Sequence, residues 1–150
     1  MGKKHVTEEN QEEAIKEKEK VDATLKKEVK VKMADRVLEG KVYVSSSYNN
    51  TIITLTDSRG QVLASKSAGA VGFKGTKKAT SFAASRVAEA IANVCKKLAI
   101  EKISVLIKGI GAGRESAVRT LVNQSLNVVS IKDITPIPHN GCRPKKIRRV

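Results

Sequence analysis

Through residues 41–67 apolar and polar side chains alternate, the period that buries one face of a strand and leaves the other in water. The run Lys41 to Ser47 predicts a first strand, Tyr48-Asn49-Asn50 a turn, and Thr51 to Asp57 a second strand rich in β-branched residues. Ser58-Arg59-Gly60-Gln61 is a further turn signal and Val62 to Ser67 a third strand, so the three form an antiparallel meander. A glycine-rich loop follows over residues 69–75.

The period then changes. Ala84, Val87, Ala88, Ile91, Val94, Cys95 and Leu98 recur at helical spacing and predict an amphipathic helix over residues 76–99, with alanines that allow close approach to a sheet. Lys102 to Lys108 reads as a largely apolar central strand, and residues 109–113 as a loop. Residues 114–126 read as a second helix with Val118, Leu121, Val122 and Leu126 inward, Asn127 as its C-cap, and 128–135 as a last strand. Pro136 and Pro138 send the chain out into an extended tail. The order βββαβαβ implies an α/β fold: a mixed β-sheet, partly parallel, with helices packed on it.

Residues 1–38 follow neither period. Glu12–Lys16 and Glu28–Lys32 are helix-stabilising i,i+4 pairs, but Ile15, Val21, Leu25 and Val29 are too sparse for a buried stripe. The expectation is a charged extension, transiently helical or disordered, over 1–38, then an α/β domain over 39–135 and an extended basic tail over 136–150.

Charge sharpens this division. The 150 residues carry 29 Lys+Arg and 15 Asp+Glu, a net charge of +14. Residues 1–40 hold ten of each sign and net to zero, leaving 19 bases against five acids on the other 110 residues. A compact body with that excess repels itself and is suited to a polyanion, with nucleic acid ahead of an anionic membrane. No apolar run approaches the roughly 18 residues of a membrane span, and the acids near the start argue against a transit peptide. Two cysteines, Cys95 and Cys142, suit a reducing compartment. With no Trp, two Tyr and two Phe, rows of stacked aromatic rings are not the expected mode of RNA recognition.

Four clusters carry chemistry. The loop Gly109-x-Gly111-x-Gly113-Arg114-Glu115, between a strand and a helix, suits an anion at a helix N-terminus. The alternative is a tight turn closed by glycines. Arg114 favours the anion, because a cation in the first turn opposes the helix dipole unless an anion is present. The loop is not a Walker A motif, and Arg114 stands where the dinucleotide fingerprint needs its third glycine, so no cofactor is expected. Lys74, Lys77 and Lys78 crowd the start of the other helix, either as a solvated face or as phosphate ligands, and Arg86 extends that face. The tail offers His139, Asn140 and Arg143 as phosphate and base-edge readers, with Lys145, Lys146, Arg148 and Arg149 adding charge. The turn Tyr48-Asn49-Asn50 supports two readings, hairpin geometry or contact with an unstacked base.

Neither metal binding nor catalysis is expected. His139-x-x-Cys142 is half a zinc site without a second pair, since His5 and Cys95 cannot be placed nearby. The order βββαβ brings the ribonuclease H class of nuclease to mind, but that chemistry needs several carboxylates around two metals. The first strand, read from Lys41, has no acid, and Asp57, Glu89, Glu101, Glu115 and Asp133 are spread over separate elements.

From about Gly40 to Val150 the chain resembles the small-subunit ribosomal protein eleven family of the bacterial type. The resemblance rests on Tyr48-Asn-Asn-Thr51 with the strand to Asp57, Gly72-Phe-Lys-Gly75 with Lys77-Lys78, Lys108-Gly-x-Gly-x-Gly-Arg-Glu115, and Asp133-Ile-Thr-Pro-Ile-Pro-His-Asn-Gly-Cys-Arg-Pro144. It implies a non-enzymatic structural role on the platform of the small subunit, in the cytoplasm or in an organelle. The implied partners are small-subunit rRNA and neighbouring ribosomal proteins, close to the exit path of mRNA and tRNA. It also implies a ribonuclease H-like core and rRNA contacts at Asn49, Asn50, Lys74, Lys77, Lys78, Gly111, Gly113, Arg114, His139, Asn140 and Arg143. The first 38 residues are longer and more acidic than the family's usual start, and Lys145 stands where the family often has a second proline. A free-standing nucleic-acid regulator and a metal-dependent nuclease are the alternatives.

Overall fold

The computed structural model describes residues 39–143 and 145–146. The charged extension 1–38, and Arg148 and Arg149 of the tail, lie outside the described residues. Five strands, β1 (Glu39–Ser46), β2 (Thr51–Asp57), β3 (Val62–Ser67), β4 (Lys102–Gly109) and β5 (Asn127–Asp133), form one mixed sheet in the order β3-β2-β1-β4-β5. The meander β1-β2-β3 is antiparallel, while β4 runs parallel to β1 and β5 parallel to β4. Each parallel connection passes through a helix: α2 (Ser81–Lys97) between β3 and β4, and α3 (Gly113–Asn123) between β4 and β5.

Alternation builds the core. Val42, Val44, Ile53, Leu55, Ile103 and Val105 face the helices and are buried. Above them α2 sets down Ala84, Val87, Ala88, Ile91 and Cys95, and α3 adds Ala117 and Leu121. The alanines on this face of α2 let its backbone lie close to β2. Burial pushes the Cys95 thiol up to about 11, so it stays protonated as a small apolar core residue.

Several boundaries differ from the sequence expectation. The glycine-rich loop contains a short helix, α1 (Ala68–Val71), N-capped by the Ser67 hydroxyl and ended by Gly72 at φ +114°. The long helix starts at Ser81 rather than 76: Gly75–Ala79 form a separate 3-10 turn, and the Thr80 hydroxyl accepts from the Ala83 N–H as N-cap. Asn127 does not cap α3. Gln124 is the C-cap, Ser125 takes the left-handed conformation (φ +61°), and Asn127 opens β5. The first strand begins at Glu39, so it does carry one acid, which is ion-paired with Lys102 at 3.7 Å.

Candidate nucleic-acid interface

The topology gathers the predicted clusters at one end of the sheet, where β1, β4 and β5 finish. The turn 47–50 is closed by the Ser47 N–H donating to the Asn50 carbonyl (2.9 Å) and the Asn50 N–H donating to Ser47 Oγ (3.1 Å). Beside it the Gly111 N–H donates to the Ser46 carbonyl at 3.1 Å, tying the loop 109–113 to the end of β1. The β3–α2 segment, with Lys74, Lys77 and Lys78, emerges at the same end, because Ser67 closes β3 opposite Ile52 at the start of β2. The tail leaves from there too: the Gly109 N–H donates to Thr135 Oγ1 at 3.1 Å. The carboxyl ends of strands in open α/β sheets are where such folds present ligand sites.

The glycines of the loop serve packing. Gly109 has φ +100°, and a Cβ on it would collide with the Ser46 carbonyl oxygen. A side chain at Gly111 would strike the Ser47 carbonyl and Ser46 Oγ, and one at Gly113 would strike Thr51 Oγ1 and Ala84 Cβ. Gly111 and Gly113 are both buried. The space that glycine opens is thus filled by β1, β2 and α2, which favours the tight-turn reading at those two positions. Beneath the loop, Ser46 Oγ, Thr51 Oγ1 and Asn50 Oδ1 are buried without a hydrogen-bond partner among the described residues.

Arg114 finds its anion inside the chain. Its guanidinium donates to the Gly109 carbonyl and forms a charged pair with Asp133 at the end of β5. Asp133 Oδ1 also accepts from the Thr135 hydroxyl (2.6 Å) and the Thr135 N–H (2.8 Å). These two donors, and then Arg114, hold the Asp133 carboxyl down to about 2. The inference that a cation in this first turn requires an outside anion therefore lapses: Asp133 meets the requirement. Sequence reasoning missed the pair because it depends on the parallel register that sets Asp133 beside Ile107.

The two helix N-termini differ. That of α2 is capped by Thr80, so Lys77 and Lys78 lie outside its first turn, in the 3-10 segment. That of α3 follows Ala112, which has no capping side chain, and the adjoining Ile110 is 61% exposed. Arg86 is turned back on α2, bonded to Glu89 at 3.1 Å and lying 5.4 Å over the Phe82 ring. Phe82 in turn meets Phe73 edge-on at 5.9 Å, pinning the lysine-bearing segment to α2. Tyr48, Asn49, Lys74, Lys77, His139, Asn140, Arg143, Lys145 and Lys146 are exposed, and Lys78 is partly so. Asn140 adopts φ +55°, a left-handed kink within the tail.

Among the described residues no three His, Cys, Asp or Glu side chains converge as metal ligands, and no helix is long and apolar enough to cross a membrane. An open groove of about 510 Å³ beside α3 is lined by Ile107, Val118 and Val122, with the Glu115–Arg119 pair (3.5 Å) at its rim.

Comparison with known proteins agrees with this architecture. Residues 40–149 match the family model described as Ribosomal protein S11. The small ribosomal subunit protein uS11c of Chlorella vulgaris is 50% identical over 126 residues, covering 84% of this chain and 97% of its own. The uS11 protein of Treponema pallidum is 51% identical over 121 residues (81% and 96%), and that of Borreliella burgdorferi 49% over 130 (87% and 100%). The matched region spans the whole sheet, both long helices and the basic tail, and on that evidence the chain belongs to the ribosomal protein S11 family.

Proposed function

We propose that the chain is a structural constituent of the small ribosomal subunit that binds small-subunit rRNA on the platform, beside neighbouring ribosomal proteins and near the exit path of mRNA and tRNA. Its place is on the ribosome, in the cytoplasm or in an organelle. The observation that carries the rRNA contact is the convergence of exposed bases and loops at one end of the sheet. There Tyr48, Asn49, Asn50, Lys74, Lys77 and Lys78 share one end, and the tail that carries His139, Asn140, Arg143, Lys145 and Lys146 leaves from it at Thr135, with Arg148 and Arg149 continuing the tail in sequence. Basic side chains and backbone N–H groups position a protein on phosphates, while Asn and His read base edges. Gly111, Gly113 and Arg114 act in this reading by shaping the loop that presents Ile110 and Ala112, and Arg86 by bracing the lysine segment through Phe82.

The strand order β3-β2-β1-β4-β5 supports a ribonuclease H-like core used as a scaffold. A non-enzymatic role is supported by the placement of the acids: Glu39, Glu89, Glu115 and Asp133 are each paired with a different base. Cosedimentation tests the reading. The chain is expected to travel with small subunits, and to be released by high salt or RNase. A free pool with none on ribosomes contradicts this and favours a regulator, while magnesium-dependent cleavage of an RNA–DNA hybrid by pure protein favours a nuclease.

A further inference from the structure

The strand registers define what lies on the side of the sheet that neither α2 nor α3 covers. One row crosses all five strands: Ser65, Thr54, Tyr43, Leu106 and Lys132. The next row, toward the loop end, sets Ile52 and Ser45 beside Lys108, and the row on the other side sets Lys41 beside Ser104. None of Tyr43, Ile52 or Leu106 belongs to the core or packs against it, and Ile52 is 39% exposed. The face therefore consists of a central aromatic ring with two aliphatic neighbours, surrounded by hydroxyls and lysines.

Its charge has one sign. Glu39, the one acid on these strand positions among the described residues, is committed to Lys102. Asp133 shares its row with Ile107 and turns to Arg114 instead. No acid among the described residues pairs with Lys41, Lys108 or Lys132. Lys41 Nζ donates to the Ser58 carbonyl at 3.0 Å, which leaves two of its three N–H groups. Strand spacings put the three lysine Cα atoms about 8 to 14 Å apart. A protein neighbour docked here would need three carboxylates placed to meet these ammonium groups, whereas every nucleotide of a nucleic-acid strand brings an anion with it.

We propose that this sheet face, which no helix among the described residues covers, is a second RNA-binding surface, on which Tyr43 stacks an unpaired base while Lys41, Lys108 and Lys132 neutralise the adjoining phosphates. It rests on the reading of the chain as an rRNA-binding protein, and it adds a surface distinct from the loop end of the sheet. Stacking suits the site because a base requires only an aromatic face with flanking charge, and Leu106 and Ile52 provide an apolar margin around the ring.

The test measures affinity of the full chain for naked small-subunit rRNA across a salt series. The triple variant Lys41→Gln, Lys108→Gln, Lys132→Gln is expected to lower the magnitude of the log–log salt slope by about 2 to 3. Tyr43→Ala is expected to weaken binding about tenfold with the slope unchanged, and Tyr43→Phe to restore it to within about twofold. Thermal melts of the variants report folding, and the phenylalanine variant keeps ring and packing together. The reference is Lys74→Gln, Lys77→Gln, Lys78→Gln at the loop end. If that triple weakens binding while the sheet-face variants leave affinity and slope unchanged, the second surface is refuted and the proposed function stands. If neither triple changes binding, both fall. A benzophenone-bearing residue in place of Tyr43 is expected to crosslink to rRNA in assembled subunits; capture of a neighbouring protein instead overturns the proposal.

Discussion

The two faces of the sheet are written in alternate residues of the same strands, yet they are put to opposite uses. On one face Val42, Val44, Ile53 and Leu55 are sealed beneath α2 and α3. On the other, Lys41, Tyr43, Ile52 and Leu106 remain outside the core. The period of two lets a chain of this size assign stability to one set of positions and contact to the other. The net charge of +14 does not oppose folding at the core face, because no lysine or arginine is among its buried residues.

Neighbouring isoleucines separate the two faces most clearly. Ile53→Ala empties a fully buried site and is expected to cost about 2–5 kcal/mol in chemical denaturation. Ile52→Ala, one residue away on the other face, is expected to cost less than about 1 kcal/mol. Equal losses would mean that the open face is packed in the free protein. A smaller effect is expected where the faces meet the loop. Gly113→Ala forces a Cβ onto Thr51 Oγ1 and Ala84 Cβ and should destabilise by about 1–3 kcal/mol. A neutral outcome in the same denaturation experiment would show that the loop accommodates a Cβ and that packing does not require the glycine.

The smallest effect is electrostatic. The Asp133 carboxyl, held near 2 by Thr135 and Arg114 against an ordinary value of 3.8, contributes stability that is fully present above about pH 4 and lost as pH falls through 2. Carboxyl NMR should find its midpoint near 2, and Thr135→Val should raise it toward 3.8. An unshifted midpoint in the wild-type chain would mean that neither Thr135 nor Arg114 holds the carboxylate in solution.

Much of this was legible beforehand. Alternation from Lys41 to Ser67 marked three strands, and the spacing from Ala84 to Leu98 marked the long helix. Periodicity places the start of that helix too early because Lys77, Lys78 and Ala79 are good helix formers, and only the Thr80 cap tells the 3-10 turn from the helix. The sequence points to Asn127 as the C-cap of α3 because asparagine is the commoner left-handed residue, yet Ser125 takes that conformation. The loop-end bases were visible as a cluster in sequence. Two features were not: the Arg114–Asp133 pair and the row of Tyr43, Leu106 and Lys132 both depend on which strands become neighbours, and in what register. Periodicity shows that a strand has two faces; only the sheet order shows which side chains share one.

If rRNA is held by phosphate neutralisation, binding must depend steeply on salt. If six to ten phosphates are engaged, affinity of the full chain for small-subunit rRNA should fall by about three to five decades between 50 and 200 mM salt. An affinity that stays level across that range would show that phosphate neutralisation does not hold the protein on rRNA.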